Sequence, residues 1–194
     1  MSEDNQDAML WDAFRRGDRR AFEQLYRKYY AALRHYGSSI TPETDTVRDG
    51  IQTLFIDLWR RRTHLRDMKQ VKPYLFQALR RLLVKDIQKQ RKLYPPEFYI
   101  EPVLPSPEAY SIDLETTDLK KKKLLRAVKT LTQKQQEVIH LRFYENLDNR
   151  AIASLMGITV DSVYNLVSLA ISNLRTQLKG HTELFLLSLA VLFG

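Results

Sequence analysis

Apolar residues recur at helical spacing along most of the chain, and the clearest run is DTVRDGIQTLFIDLW, residues 45–59. Five apolar residues fall at positions i, i+3, i+4, i+7 and i+8: Ile51, Leu54, Phe55, Leu58 and Trp59. This spacing places a continuous apolar stripe on one side of an α-helix. The polar side, called the polar ridge below, is expected to face outward and comprises Arg48, Asp49, Gln52, Thr53 and Asp57. An ordinary amphipathic bundle helix has the same pattern, so the ridge alone assigns no function.

The same periodicity predicts three further helices in the first half of the chain. One spans residues 6–16, the next is capped by Asp18, and the last begins at Pro73, a residue suited to the first helical position. Residues 37–44, which include Pro42, are expected to form a turn or loop. The apolar face of the last helix is predicted to consist of Leu75, Ala78, Leu79 and Leu82.

The second half of the chain contains the signals of a helix-turn-helix. Residues 132–135 have the form of a capping box. Asp148 can cap a short helix that ends at Gly157, and Thr159 can cap the longer helix that follows. The longer helix is predicted to bury Val163, Leu166, Val167, Ala170 and Leu174. Its outer face would then present to the major groove of DNA the residues Val160, Asp161, Tyr164, Asn165, Ser168 and Ser172.

The fold class follows from what the pattern lacks. No helix-sized region alternates with a period of two and the chain has only six glycines, so an all-α protein is predicted. Residues 93–117 carry five prolines and too few apolar residues for a core, which indicates a Pro-rich acidic linker. It would join two small helical domains, residues 1–92 and 118–180, the second being the helix-turn-helix domain. The apolar tail, residues 181–194, is too short to span a bilayer and is expected to pack on a domain and restrain the protein, attachment to a membrane-bound partner being the alternative.

Charge is distributed unevenly between these segments. Residues 45–92 carry a net charge of +8 and residues 118–194 carry +5, whereas the linker carries −5. Two basic modules on a tether suggest a long polyanion that is contacted at two places. Basic charge that only keeps two helical domains soluble is the alternative.

Aromatic and basic side chains are interleaved around the helix that begins at Pro73. Trp59, Tyr74 and Phe76 lie near its start. Its cations are Arg80, Arg81, Lys85, Lys89, Arg91 and Lys92. An unpaired nucleic-acid strand needs both types, because aromatic faces stack on bases and cations neutralise phosphates. A membrane-surface helix or a core helix with aromatic ends has the same composition.

Catalytic chemistry is not indicated by any motif. The four histidines are scattered without metal-ligand spacing, and there is no cysteine, phosphate-cradling glycine loop or nucleophile motif. We therefore expect no enzyme activity, metal, cofactor or small-molecule substrate. The lack of cysteine and of a visible signal peptide fits a cytoplasmic protein.

Taken in order, five stretches resemble the extracytoplasmic-function group of bacterial sigma factors. They are RRGDRRAFEQLYRKYY, RDGIQTLFIDLW, PYLFQALRRLLVKDIQKQR, the acidic linker, and LTQKQQEVIHLRFYENLDNRAIASLMGITVDSVYNLVSLAISNLR. The resemblance covers about residues 8–178. It implies a two-domain helical initiation factor that binds core RNA polymerase and directs it to promoters. Many such factors are held inactive by an anti-sigma protein, so one is expected as a partner beside polymerase and promoter DNA.

The resemblance also implies roles for particular surfaces. Binding to the clamp helices of the largest polymerase subunit is implied for Asp49, Gln52, Thr53 and Asp57. Contact with the −10 promoter strand is implied for Trp59, Tyr74, Gln77, Arg80, Arg81 and Lys85. Contact with the −35 element is implied for Lys134, Arg142, Arg150, Asp161, Tyr164, Asn165, Ser168 and Arg175. The linker resembles the one that runs through the polymerase near the RNA exit path.

The chain departs from the family in its recognition helix. No Lys or Arg lies between Val160 and Leu174, and Asn149-Arg150 replaces a stretch that usually contains glutamate. Because phosphate contacts supply much of DNA affinity, −35 binding is expected to be weak or to lean on cations around the helix. Two alternative functions stay open: a stand-alone helix-turn-helix transcriptional regulator, and a helical adaptor with weakened DNA binding.

Overall fold

The computed structural model describes residues 3–68, 70–93 and 126–178 of the chain. Every regular element in these ranges is helical, which confirms the predicted all-α fold. The helices are α1 (Glu3–Arg15), α2 (Arg19–Ile40), α3 (Thr44–Arg61), α4 (Val71–Leu93), α5 (Gln133–Ile139), α6 (Asn149–Met156) and α7 (Val160–Gln177). A 3-10 turn, Arg62–His64, follows α3, and a π-helical turn, His140–Tyr144, follows α5.

The chain divides into two compact units, residues 1–103 and 104–194. Helices α1 to α4 belong to the first unit and α5 to α7 to the second. The predicted linker beyond residue 93 and the apolar tail lie outside the described residues, as do the side chains of Arg91 and Lys92. The domain boundaries proposed from the sequence therefore stay predictions.

The apolar stripe predicted on α3 forms the centre of the first unit. Ile51, Leu54, Phe55 and Leu58 are at most 5% exposed, and they pack against α2 and α4. Trp59, at the end of the stripe, is only half-buried. Burial of this kind contributes roughly 1.5–3 kcal/mol per large apolar side chain, so the stripe fixes the orientation of α3 and of its polar ridge.

Two glycines bring these helices into close contact. A Cβ atom at Gly37 of α2 would lie 2.4 Å from Cγ1 of Val47 on α3, and one at Gly50 of α3 would lie 2.9 Å from Cδ2 of Leu83 on α4. No side chain fits in gaps of this size. The loop predicted over residues 37–44 is shorter than expected: Gly37 is buried inside α2, which continues to Ile40, and only residues 41–43 separate α2 from α3.

The buried face of α4 is also rotated from its predicted position. Phe76 and Leu83 are fully buried with Leu75 and Leu79, whereas Ala78 and Leu82 are only half-buried. The ring of Phe76 stacks on that of Tyr36, with 4.9 Å between the centroids. A large ring gains more from burial than an alanine does. Phe76 is thus a core residue, and its expected place among aromatics for a nucleic-acid strand is wrong.

The second unit begins its helices at the predicted caps. Thr132 and Gln135 form the capping box of α5, and the Asp148 carboxylate accepts from the N–H of Ala151 at the start of α6. Gly157 ends α6 with φ +69°, a conformation that glycine adopts without strain. Three of the five residues predicted to face inward from α7 are buried, Val163, Ala170 and Leu174, while Leu166 and Val167 are half-buried.

Candidate nucleic-acid interface

The polar ridge of α3 faces outward, as its spacing predicts. Arg48, Asp49, Gln52 and Thr53 are exposed, and Asp57 is half-buried. The Arg48 guanidinium lies 3.0 Å from an Asp45 oxygen and 3.7 Å from an Asp49 oxygen, so two acids compete for one cation. Buried apolar residues behind the ridge hold these side chains at fixed places on a rigid helix, which suits them to docking on another protein.

One exposed apolar residue on α3 was not singled out from the sequence. Ile56 is 42% exposed and follows Asp49 and Thr53 at positions i+7 and i+3, on the same outward side. The signal was available, because Ile56 does not fit the buried stripe. An apolar residue among polar ones is the usual composition of a protein–protein contact.

Trp59 and Tyr74, both predicted to contact the −10 strand, belong to one cluster of aromatic rings in the first unit. Trp59 packs 5.0 Å from Phe22 between ring centroids, and the Arg62 guanidinium lies 4.5 Å from the Trp59 centroid. Tyr74 meets Trp11 edge-on at 5.4 Å. Each is half-buried, so the structure gives both rings a packing role and leaves part of each accessible.

The outward face of α4 brings together four of the residues predicted for the −10 strand. Tyr74, Gln77, Arg81 and Lys85 follow one another at spacings of three, four and four residues, which places them on one side of the helix. Arg81 and Lys85 are exposed, whereas Gln77 and Arg80 are half-buried and take part in other interactions. The face therefore offers mobile cations beside a partly accessible ring.

The connection between α3 and α4 was not singled out from the sequence. The structure ties two of its carbonyls to α1, through Trp11 and Arg15. Its exposed side chains include those of Thr63, His64 and Arg66. The backbone of the connection adjoins the aromatic cluster, because Trp11 contacts both the Arg66 carbonyl and the Tyr74 ring.

Helices α6 and α7 form the predicted helix-turn-helix. They are bent by 102° at the turn that contains Gly157. On the outer face of α7, Asp161, Tyr164, Asn165, Ser168 and Ser172 are exposed, and Val160 is half-buried. Leu169, 56% exposed, lies near them. The face can hydrogen-bond base edges and phosphates, but it carries one acid and no cation.

The cations predicted for the −35 element are exposed but lie around α7 rather than on its outer face. They are Lys134 on α5, Arg142 in the π-helical turn, Arg150 on α6 and Arg175 in the last turn of α7. Arg142 also donates to the Leu147 carbonyl at 3.2 Å, which links the π-helical turn to the loop before α6. These four cations can meet phosphates, and Arg126 and Lys129 are also exposed in the described part of the second unit.

Over residues 3–68, 70–93 and 126–178, no group of three or more His, Asp or Glu side chains could hold a metal ion. Within the same ranges no single helix is long and apolar enough to cross a membrane. Only the bent pair of α6 and α7, taken together, has the required length and apolarity.

Two helical units, one ending in a helix-turn-helix and both presenting cations, define a DNA-binding transcription protein. Family models agree: residues 25–93 match sigma-70 region 2 and residues 121–174 match sigma-70 region 4. Together the two matches cover more than half of the chain. The protein thus belongs to the sigma-70 family.

Solved structures share the fold at low sequence identity. CnrH, solved in complex with the cytosolic domain of CnrY, is 20% identical with a TM-score of 0.61, over 90% of this chain and 98% of that one. The sigma factor RpoE, solved with the anti-sigma factor NepR from Bartonella quintana, is 23% identical with a TM-score of 0.65, over 81% of this chain and 96% of that one. No curated protein matches the chain.

The function predicted from the sequence is confirmed by these matches. The protein is a sigma factor, which binds core RNA polymerase and directs it to promoters to initiate transcription. Sigma factors are in general regulators rather than enzymes. The region 2 match favours this function over a stand-alone regulator or an adaptor, since neither needs such a region.

Proposed function

We propose that the factor docks on the clamp helices of the largest polymerase subunit through the polar ridge of α3. The observation that supports this most directly is the exposure of Asp49, Gln52 and Thr53 on a helix whose other side is sealed in the core. Asp57 would contribute from the edge, and Ile56 would add an apolar contact. Acidic and amide groups around one apolar residue can pair with basic and polar groups of a partner helix.

The −10 strand would lie along the outward face of α4. Extruding a base from a duplex costs roughly a few kcal/mol, and stacking on aromatic rings with neutralisation of phosphates offsets that cost. Arg81 and Lys85 are exposed and can meet the backbone, with Arg80 and Gln77 beside them. The accessible parts of Tyr74 and Trp59 can meet bases.

The −35 element would be contacted by the outer face of α7, with affinity supplied by cations around it. Tyr164, Asn165 and Ser168 are exposed and can donate hydrogen bonds to base edges or phosphates, and Asp161 can accept one from cytosine. The phosphates would be met by Lys134, Arg142, Arg150 and Arg175. Without a cation on the helix itself, this contact would be the weaker of the two promoter contacts.

Partners and location follow from the same role. Both structural neighbours are described in complex with a second protein, NepR being an anti-sigma factor and CnrY the partner of CnrH. An anti-sigma protein is accordingly proposed as a partner of this chain, which itself would catalyse no reaction and use no cofactor. A factor that loads polymerase works where transcription takes place, in the cytoplasm.

Binding to core polymerase tests the proposal at its first step. Asp49→Arg should lower the affinity for core enzyme at least tenfold, because it places a cation where the partner's basic groups would lie (about 1.4 kcal/mol per tenfold). Glu23→Arg makes the same charge change at an exposed position of α2 and serves as the matched control. Size-exclusion co-elution and a fluorescence titration give the two affinities. Equal affinities for the two variants would place the polymerase contact somewhere other than the ridge.

A further inference from the structure

The segment that joins α3 to α4, residues 65–68, is held by α1 rather than by its own backbone. The Trp11 Nε1–H donates to the Arg66 carbonyl at 3.1 Å, and the Arg15 Nε–H donates to the Leu65 carbonyl at 2.7 Å. The bond from the Leu65 N–H to the Arg62 carbonyl is long, at 3.4 Å. Two side chains of one helix thus fix two consecutive carbonyls of the segment.

Both donors are well placed to set the shape of this segment. Trp11 is fully buried, so its ring cannot shift without disturbing its neighbours Phe14 and Tyr74. The Arg15 side chain is 25% exposed and also lies 3.9 Å from an Asp67 carboxylate oxygen. A carbonyl that loses a partner in such partly buried surroundings must find another, so the segment would change its backbone conformation.

With its carbonyls turned toward α1, the segment presents its polar side chains to solvent. Arg66 and Asp67 are exposed, as are Thr63 and His64 just before it. The backbone of the segment and Tyr74, which lies at the start of the α4 face that carries Arg81 and Lys85, both contact Trp11. The segment therefore shares one buried neighbour with a residue proposed to meet the −10 strand.

We infer that Trp11 and Arg15 are positioning residues for recognition of the −10 strand. They contact no DNA; they hold the 65–68 segment so that its polar side chains meet a base in one fixed arrangement. The inference rests on the proposed −10 function of α4. It adds a role for α1, which precedes the region 2 match that begins at residue 25.

Arg16 provides a closely matched control for Arg15. Both guanidinium groups pair with the Asp12 carboxylate, but only Arg15 also bonds the Leu65 carbonyl. Arg15→Met and Arg16→Met remove the same charge and the same kind of ion pair. They differ in whether the segment loses its contacts with α1, which are the donor to the Leu65 carbonyl and the cation near Asp67.

The experiment uses the full chain, core RNA polymerase and a pool of promoter duplexes randomised in the −10 element. Transcripts from the pool are sequenced to give the base preference at each position, and core affinity and thermal unfolding are measured in parallel. Arg15→Met should lower transcription from the preferred sequence about tenfold, the size expected for one partly buried hydrogen bond. It should also flatten the preference at one or two −10 positions. Arg16→Met should stay within about twofold of wild type in transcription from the preferred sequence and in base preference.

The outcomes separate positioning from stability and from the proposed function. Equal base preferences for the two variants would overturn the inference, even if Arg15→Met is less active, because general destabilisation lowers all promoters alike. If Arg15→Met unfolds below the assay temperature, Trp11→Phe decides, since it removes the donor to Arg66 and keeps a smaller aromatic ring at the site; an unchanged preference there overturns the inference as well. If wild-type holoenzyme shows no −10 preference at all, the proposed function of α4 fails instead.

Discussion

The two units of this sigma factor keep their working surfaces in place by different means. The first packs long helices around a chain of aromatic rings, with glycines where α3 meets its neighbours, and displays Arg81 and Lys85 on α4. The second has helices of 7, 8 and 18 residues whose starts are all fixed by side-chain caps, and its recognition helix has no cation from Val160 to Leu174. Because cations supply most of the salt-dependent affinity for DNA, the first unit should carry most of the promoter affinity. The second would mainly orient the complex.

Removing cations from the first unit should produce the largest effect. The double variant Arg81→Gln, Lys85→Gln should weaken promoter binding by the holoenzyme at least tenfold, because about two phosphate contacts are lost. The slope of log affinity against log salt concentration should become shallower by about 1.5 to 2. Filter binding or fluorescence anisotropy across a salt series measures both quantities.

The control for that double variant removes two exposed cations from α2. Arg27→Gln with Arg34→Gln changes the net charge by the same amount at exposed positions of a different helix. If the control weakens promoter binding as much as the α4 variant, long-range charge rather than contact with α4 explains the affinity. The difference in promoter affinity between the two units would then come from net charge alone.

The packing of the first unit should be sensitive to a single methyl group. Gly37→Ala forces a Cβ into the 2.4 Å gap before Val47. Overpacking costs typically about 1–3 kcal/mol, and the helix preference of alanine over glycine returns up to about 1 kcal/mol. We expect a net loss of about 1–2 kcal/mol in the free energy of unfolding, measured by urea denaturation.

Ser38→Ala is the neighbouring control for this substitution. The Ser38 hydroxyl bonds only the Arg34 carbonyl of its own helix among the contacts described, so its loss should change stability by less than about 0.5 kcal/mol. An unchanged stability of Gly37→Ala would mean that α2 and α3 can separate at little cost. The contrast between a tightly packed first unit and a capped second unit would not hold.

These contrasts also explain what the sequence could predict. The caps at Thr132, Asp148 and Thr159 are local signals, so the helix starts of the second unit were foreseen correctly. The continuation of α2 through Gly37 was not predicted, because the need for a glycine there comes from Val47 on another helix. The low helix propensity of glycine predicted a helix end at Gly37, whereas close packing against α3 requires a glycine at this position.

The candidate site divides in the same way. Helical spacing alone put Asp49, Gln52 and Thr53 on an outward face, because a single buried stripe determines which side is exposed. The bonds from Trp11 and Arg15 to the 65–68 segment join residues about fifty positions apart. No periodicity within one helix carries that information, so this part of the site was missed.

The smallest expected effect on promoter affinity comes from adding a cation to the second unit. Leu169 is 56% exposed beside the outer face of α7, so Leu169→Lys adds the cation that the recognition helix lacks without opening the core. One added phosphate contact should steepen the salt dependence of promoter binding by about 0.9 in slope and tighten binding a few-fold at moderate salt. Leu169→Gln removes the same exposed apolar side chain without adding charge, and binding by the two variants is compared over one salt series. If both variants show the same slope of log affinity against log salt concentration, this side of α7 does not approach the phosphates. The second unit would then have to contact promoter DNA through a different face in order to orient the complex.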